Sequence, residues 1–510
     1  MVAEKNQLSK PHHPRPQWRS RMGFVLAAMG SAVGLGNIWR FSYLCYKNGG
    51  GAFLVPYLIA LFVVGIPLMI LELGVGHRMR GSAPMTFAKI SRHWEWCGWW
   101  AVITAMYGIM LYYAAVISWC ISYVFFSLNL AWGSDPNDFF FHKYLQISSG
   151  PAELGDIRAP IILALLAVWL LSWMIVFFGV QKGLERANKI FMPLLLSLIA
   201  ILVLWSLSLE GSRAGLAVYL NPDFSLLVKP QIWIDAFSQI FFTLSLGFGI
   251  MVTYASYLPR KADIVKDAFI ICIGDSLFSF VAGFAVFGTL GYMSFATGKP
   301  VAEVVKESIG LAFVAYPQAI SLMPAFANVF GVVFFGALVI AGLSSAISLV
   351  EAFVSAVIDK FHYSRKVVVS VVCMTGFLGS IIFTAESGLY WVDIVDHFVT
   401  HYGLVGIGIL ECILIGWIFK ASKIREHINH AAQATLSKFW DVSIKVIAPL
   451  VLLTLLANDL AKEISHPYGG YPWVAIILIG RDWLLVALIV ALFVSMREWK
   501  RDLKEENVEQ

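Results

Sequence analysis

The chain has 510 residues, 59% of them hydrophobic and only 14% charged, with a mean hydropathy of +0.76. That much apolar surface excludes a soluble domain and predicts an all-α integral membrane protein embedded in a lipid bilayer. The net charge of +5 is accounted for by the basic loops between spans, so no nucleic-acid partner is expected.

In chain order, apolar stretches of about 20 residues predict about twelve spans. They lie near 22–45, 52–76, 98–130, 160–179, 190–209, 233–257, 267–292, 329–358, 367–384, 390–418, 443–460 and 483–497. Residues 1–20 precede them as a basic segment, and 498–510 follow as a tail. Lys5, Lys10, Arg15, Arg19 and Arg21 stand on the same side as Arg78, Arg80, Lys89 and Arg92, and as Lys182, Arg186 and Lys189. Arg260, Lys261 and Lys266, then Lys360, Arg365 and Lys366, then Lys420, Lys423 and Arg425 continue the alternation, which ends with Arg497, Lys500 and Arg501. The intervening loops are poor in Lys and Arg, so both termini are expected to be cytoplasmic. No cleavable signal pattern is expected, because the first apolar segment is long and leads into further spans.

The six cysteines (45, 97, 120, 272, 373 and 412) sit in or beside predicted spans, none in the outer loop 133–158, so no disulfide is expected. No Asn-x-Ser/Thr sequon occurs. These features and the short tails fit a prokaryotic plasma (inner) membrane.

The first span reads Gly30-Ser31-Ala32-Val33-Gly34-Leu35-Gly36-Asn37, and the sixth reads Thr243-Leu244-Ser245-Leu246-Gly247-Phe248-Gly249. Each interior glycine costs about 1 kcal/mol relative to alanine in plain helix. Unwound backbone at membrane depth is tolerated only where protein buries it or a polar cavity meets it. Two such breaks in separate parts of a carrier point to a solute site between inverted repeats. The expected organisation is therefore 21–210 (spans 1–5), 211–420 (spans 6–10) and 421–497 (spans 11–12). An outer plug of short helices is expected near 301–324. Gly30-x-x-x-Gly34 also reads as a helix-packing seam. Gly183 and Pro193 either loosen the inner end of span 5 or mark an ordinary helix start.

A broken helix offers N–H groups to a carboxylate and C=O groups to an ammonium without a charged side chain. Gly34-Leu35-Gly36 would supply donors, and Ala32, Phe242 and Thr243 carbonyl acceptors. Asn37, Thr243, Ser245, Asp275, Ser344 and Ser345 place oxygens at membrane depth, although a buried hydroxyl also caps its own helix. A carboxylate in a span marks an ion or substrate pathway, which singles out Asp275; Glu72 and Glu351 are read as structural. Tyr113 and Phe242 would cover a small solute. Arg40 with Asp396, and Arg15 with Asp359, are candidate outer and inner closing pairs.

The stretch from Trp18-Arg19-Ser20-Arg21 to Arg40-Phe41, with Asn48-Gly49-Gly50-Gly51-Ala52-Phe53 and Pro56-Tyr57, resembles the neurotransmitter:sodium symporter family. So do Phe241-Phe242-Thr243-Leu244-Ser245-Leu246-Gly247-Phe248-Gly249, Thr253-Tyr254-Ala255-Ser256-Tyr257 and Ala341-Gly342-Leu343-Ser344-Ser345. The pattern is similar to its bacterial amino-acid carriers, such as the leucine transporter. The resemblance implies about 12 transmembrane helices in a 5+5 inverted-repeat fold with helices 1 and 6 unwound. It implies two sodium ions, one at Ala32, Asn37, Thr243 and Asp275, the other at Gly30, Val33, Ala341, Ser344 and Ser345. The substrate carboxylate would meet Leu35, Gly36 and Tyr113; its amine would meet Ala32, Phe242, Thr243 and Ser245. Ile109, Phe242, Phe248, Ser345 and Leu349 would line the side-chain pocket. Arg40 with Asp396 and Arg15 with Asp359 match the gates, Trp18 and Tyr257 the inner-gate supports, and Gly183 with Pro193 the span-5 unwinding motif.

Gly34 stands where monoamine carriers have an aspartate, so the substrate is expected to carry its own carboxylate. Ile109 and Phe248 suggest a small or medium apolar side chain. The departure is Asp275, where the family usually has Asn. A fixed carboxylate there supplies the charge that chloride brings near Tyr57, Gln239 and Ser279 in chloride-dependent members, so chloride is not expected to be required. A proton taken by Asp275 on the return step is part of the same hypothesis.

The expected activity is sodium-coupled import of a neutral amino acid by alternating access, without enzymatic chemistry. Oligomeric state is left open. One alternative is a symporter of another carboxylate-bearing solute of the GABA, betaine or taurine type. Another is a transport-inactive sensor on the same fold. An enzyme would need a metal-ligand or catalytic cluster at membrane depth, whereas the histidines are read as lying mainly in tails and loops, with no His-x-x-x-His pair in a span.

Overall fold

The computed structural model describes residues 15–304, 308–430 and 432–500. Lys5, Lys10 and Arg501 of the charge pattern, and most of the two end segments, lie outside the described residues. Among the described residues the fold is helical, with a single isolated bridge between Ile157 and Ala385. Ten helices are long and apolar enough to cross a bilayer. These are Gly50–Met79 (span 2), Arg92–Ser127 (span 3), Ala159–Phe177 (span 4), Val180–Ser208 (span 5), Ile264–Thr297 (span 7), Ala327–Phe361 (span 8), Arg365–Thr384 (span 9), Gly388–Ile418 (span 10), Lys438–Gly470 (span 11) and Trp473–Met496 (span 12). Arg21–Ala32 and Leu35–Lys47 form the broken span 1, bent by 69°. Pro230–Thr243 and Ile250–Ala255 are the two halves of an interrupted span 6.

Local chemistry sets the ends. Ser20 starts span 1, its hydroxyl accepting from Gly23 N–H at 3.1 Å, and Asp263 caps span 7 through Lys266 N–H at 3.1 Å. Gly298, with φ +69°, stops span 7 in the left-handed region. On span 12, Leu485, Val486, Ile489 and Phe493 are exposed; an apolar face of this kind belongs against hydrocarbon.

Three helices extend beyond their apolar stretches. Span 5 begins at Val180 rather than near 190, because Glu185 pairs with Lys189 one turn on at 2.6 Å and accepts from Arg19 N–H at 2.7 Å. Span 11 runs on past 460, because Asp459 and Glu463 face histidines of span 10. Span 12 starts at Trp473, ten residues before expectation; Arg481 and Asp482 interrupt its hydropathy but pair with each other at 2.8 Å. Several spans contain π-helical turns, among them 61–65, 104–110, 180–185 and 399–404. Short helices Val301–Val304 and Leu311–Ser321 occupy the segment expected to hold a plug.

Candidate functional site

Two residues, Val33 and Gly34, interrupt span 1 with extended backbone. Gly34 N–H donates to Asn37 Oδ1 at 2.8 Å, so the second half-helix caps itself. Leu35 N–H points at the Tyr113 hydroxyl, 3.4 Å away. A Cβ on Gly34 would stand 3.1 Å from Tyr113 Oη and 3.2 Å from Ser345 Oγ, so the missing side chain keeps this face of the break open. Gly30 serves packing: its Cβ position lies 2.3 Å from Asn188 Oδ1 of span 5.

Span 6 breaks through left-handed backbone at Ser245, Gly247 and Gly249, with φ of +53°, +80° and +71°. Gly247 N–H is held by Glu72 Oε1 at 2.8 Å, which gives that buried carboxylate a structural partner. The Phe242 carbonyl, expected to be free, closes a turn with Ser245 N–H at 3.0 Å and keeps one lone pair. Ser245 Oγ reaches across to the Ser31 carbonyl at 3.1 Å and ties the two breaks together.

Oxygens converge beside each break. Ser345 Oγ lies 3.4 Å from Gly30 O, 3.5 Å from Val33 O and 3.4 Å from Ala341 O, and Ser344 Oγ is 2.8 Å from Ala341 O. On the other side, the two hydrogens of Asn37 Nδ2 are shared among Thr243 Oγ1 at 2.9 Å, Asp275 Oδ1 at 2.7 Å and Ser279 Oγ at 2.8 Å. Thr243 Oγ1 is also 3.1 Å from Asp275 Oδ2. Asn37, Thr243, Asp275 and Ser344 are buried. Carbonyl, hydroxyl and carboxylate oxygens are the ligands that hard, small cations take. The carbonyl and hydroxyl oxygens around Ser345, and the Thr243 and Asp275 oxygens, thus fit sodium as cargo, whereas Asn37 turns its nitrogen to the second cluster and its oxygen to Gly34 N–H. Beside the second cluster, Tyr57 O–H donates to Ser276 Oγ at 3.2 Å. The polar side-chain atoms of buried Gln239, on span 6, have no protein partner.

A cavity of about 830 Å³ runs from these breaks toward one face of the molecule. Ala32, Leu35, Gly36, Ile109, Tyr113, Phe242, Phe248 and Leu349 line its inner part. Arg40 and Asp396 line its neck but form no ion pair. Arg40 Nη2 donates to Ser238 Oγ at 3.2 Å with its guanidinium over the Phe242 ring, and Tyr112 O–H donates to Asp396.

Residues 15–18, where the described chain begins, pack against spans 6 and 8. Arg15 Nη1 meets both carboxylate oxygens of Asp359 at 2.8 and 3.0 Å. Ser82 N–H adds a bond to Asp359 at 2.8 Å. Trp18 donates from its backbone N–H to Tyr257 O at 3.0 Å and from Nε1 to Tyr254 O at 2.8 Å. Tyr257 O–H donates to Glu351 at 3.0 Å, and Arg365 pairs with the same carboxylate, a structural role for Glu351. Span 5 is wound at this end: Gly183 sits in a π turn where a Cβ would lie 1.9 Å from Ile175 O, and Pro193 stands inside a continuous helix.

Sequence reasoning missed several polar groups. His397 and His401, one turn apart on span 10, face Glu463 and Asp459 of span 11, the latter pair at 2.6 Å. The expectation that no His-x-x-x-His pair lies in a span is thus corrected: His397-x-x-x-His401 stands inside span 10, where Glu463 and Asp459 partner its imidazoles. Among the described residues no cluster could hold a metal through His, Cys, Asp and Glu together. Asn188 and the Ser31 carbonyl were also missed.

The sequence profile of the Sodium:neurotransmitter symporter family matches residues 15–138 and 133–501. An uncharacterized sodium-dependent transporter of Methanocaldococcus jannaschii is 48% identical over 95% of this chain and 98% of its own length. A sodium- and chloride-dependent GABA transporter 2 of Rattus norvegicus is 33% identical, over 90% of this chain and 83% of its own. A creatine transporter of Torpedo marmorata is 32% identical, over 90% and 81%.

Proposed function

The chain belongs to the Sodium:neurotransmitter symporter family, and from that premise we propose that it imports a neutral amino acid together with two sodium ions. It is a sodium-dependent transporter and a multi-pass membrane protein. The observation that carries the finer reading is the pairing of two oxygen clusters with a cavity lined by both broken helices.

One sodium takes the Gly30, Val33, Ala341, Ser344 and Ser345 oxygens. The other takes Ala32, Thr243, Asp275 and the substrate carboxylate, with Asn37 joining once its amide oxygen turns from Gly34 N–H to the ion. That shared carboxylate makes sodium and substrate binding reinforce each other. Leu35, Gly36 and Tyr113 orient the carboxylate, and the Ala32 and Thr243 carbonyls with Ser245 receive the amine. Asp275 supplies the negative charge at the first sodium, so chloride is not needed. Arg40 with Asp396 and Arg15 with Asp359 are the outer and inner gates, the inner one closed here. The basic loops put both termini in the cytoplasm, so the cavity faces outward. The five-plus-five repeat supports exchange between outward and inward states, because each broken helix is the first of its group.

Two sodium ions crossing 100 mV release roughly 4–5 kcal/mol from the electrical term alone, which supports about 1,000-fold accumulation. The relatives named for GABA and creatine favour a second reading, in which another carboxylate-bearing solute takes the site. Uptake of radiolabelled amino acids into proteoliposomes, with and without a sodium gradient, tests both. Competition by neutral amino acids supports the first reading; competition by GABA or creatine alone replaces it.

A further inference from the structure

Lys360, the next residue after the gate carboxylate Asp359, is fully buried although charged. An ammonium has three N–H donors. Here they go to Glu95, which is 1% exposed, to the Val494 carbonyl at 2.8 Å and to the Ser495 carbonyl at 3.3 Å. Those carbonyls lie in the last turn of span 12, the negative end of its dipole. Glu95 is enclosed in turn, accepting from Trp99 Nε1 at 3.0 Å and from Trp499 Nε1 at 2.7 Å. The chain after span 12 folds back so that Lys500 N–H donates to Lys360 O at 3.3 Å. Lys500 Nζ also lies 4.5 Å from the centre of the Tyr363 ring. One buried charge node therefore joins the start of span 3, the end of span 8 and the segment 494–500.

We propose that Lys360, Glu95 and Trp499 are positioning residues for the inner gate, and that segment 494–500 acts as a strap that holds Asp359 where Arg15 meets it. The proposal rests on the reading of Arg15–Asp359 as that gate. A charge buried this deeply tolerates little movement, since any shift leaves a donor or acceptor unpaired in a dry environment. Span 8 is thereby pinned at residue 360, one peptide from the carboxylate that closes the path. Ser82 N–H fixes Asp359 from a second side. With the strap in place, opening requires only the Arg15 and Trp18 side of the contact to leave; without it, Asp359 drifts as well and the closed state loses population.

Hydrogen–deuterium exchange on the full-length protein in sodium, together with uptake kinetics, tests this. Lys360→Met should speed exchange in 15–32 and 250–258 about fivefold or more, with Trp499→Phe in the same direction but smaller. Uptake should show a raised KM with a smaller change in maximal rate, because the outward-facing state that binds substrate is depleted. The double variant Glu95→Leu with Lys360→Met removes the unpaired charge and keeps the protein folded, yet should retain the faster gate exchange. Arg15→Ala is the control for the gate reading. If Arg15→Ala speeds exchange at 15–32 while neither Lys360→Met nor Trp499→Phe does, the strap is overturned. If the Lys360→Met increase is uniform over all spans, the node is a general stabiliser and the strap is likewise overturned. If Arg15→Ala itself changes nothing, the gate reading fails and the strap with it.

Discussion

Replacing Asp275 by Asn keeps the shape of the first sodium cluster and removes its only carboxylate from the protein side. Asp275 lies 2.7 Å from Asn37 Nδ2 and 3.1 Å from Thr243 Oγ1, so a cation held among these groups sits in its immediate field. At an effective dielectric of about 20, unit charges about 4 Å apart attract by about 4 kcal/mol. An amide is cheaper to bury than a carboxylate, which returns part of that and leaves about 2 kcal/mol, or roughly thirtyfold in sodium affinity. The Tyr57 hydroxyl, bonded to Ser276, and the Ser279 hydroxyl remain beside the vacated charge and can receive an anion. In proteoliposomes, wild-type uptake should be the same in chloride and gluconate. Asp275→Asn should need roughly thirtyfold more sodium in gluconate and regain part of the loss in chloride. Wild-type uptake that stops without chloride, or an Asp275→Asn variant with an unchanged sodium curve, would refute the charge argument.

Ser345→Ala removes the hydroxyl that stands within reach of Gly30, Val33 and Ala341 carbonyls. Sodium activation of uptake should shift about tenfold to higher concentration, with the thermal midpoint nearly unchanged. Gly34→Ala puts a methyl 3.1 Å from Tyr113 Oη and 3.2 Å from Ser345 Oγ. Substrate KM should rise while sodium binding to the substrate-free protein is retained; equal loss of both would place Gly34 outside the substrate site. Gly183→Ala drives a Cβ to 1.9 Å from a main-chain oxygen. It should destabilise the protein by about 2–3 kcal/mol, read as a lower melting temperature.

Both broken spans were legible because glycine and buried polar residues in an apolar run leave few alternatives. Asn37 was read as an oxygen ligand, and its capping of Gly34, three residues earlier, came only with the structure. The Arg15–Asp359 pair was suggested by its place at the span ends and by resemblance, not by any local pattern, since the two residues are 344 apart in the chain. The node of Lys360, Glu95 and Trp499 was hidden for the same reason, since a lysine at the end of an apolar helix ordinarily reads as a topology marker. Charged extensions of spans 5 and 11 escaped because hydropathy counts side chains one at a time, whereas an ion pair across helices cancels their cost jointly. His397 and His401 carried a spacing signal that was overlooked.

The π turn at 104–110 of span 3 has a bearing on how related sequences are compared. A π turn is an α-helix with one residue added, and here the addition falls just before Tyr113 and includes Ile109. Deleting any one residue of the turn would leave length, hydropathy and helicity almost untouched. It would also rotate everything beyond by about 100°, swinging Tyr113 away from Leu35. A single-residue gap in an alignment at this point would thus separate a carrier that binds its cargo from one that merely resembles it.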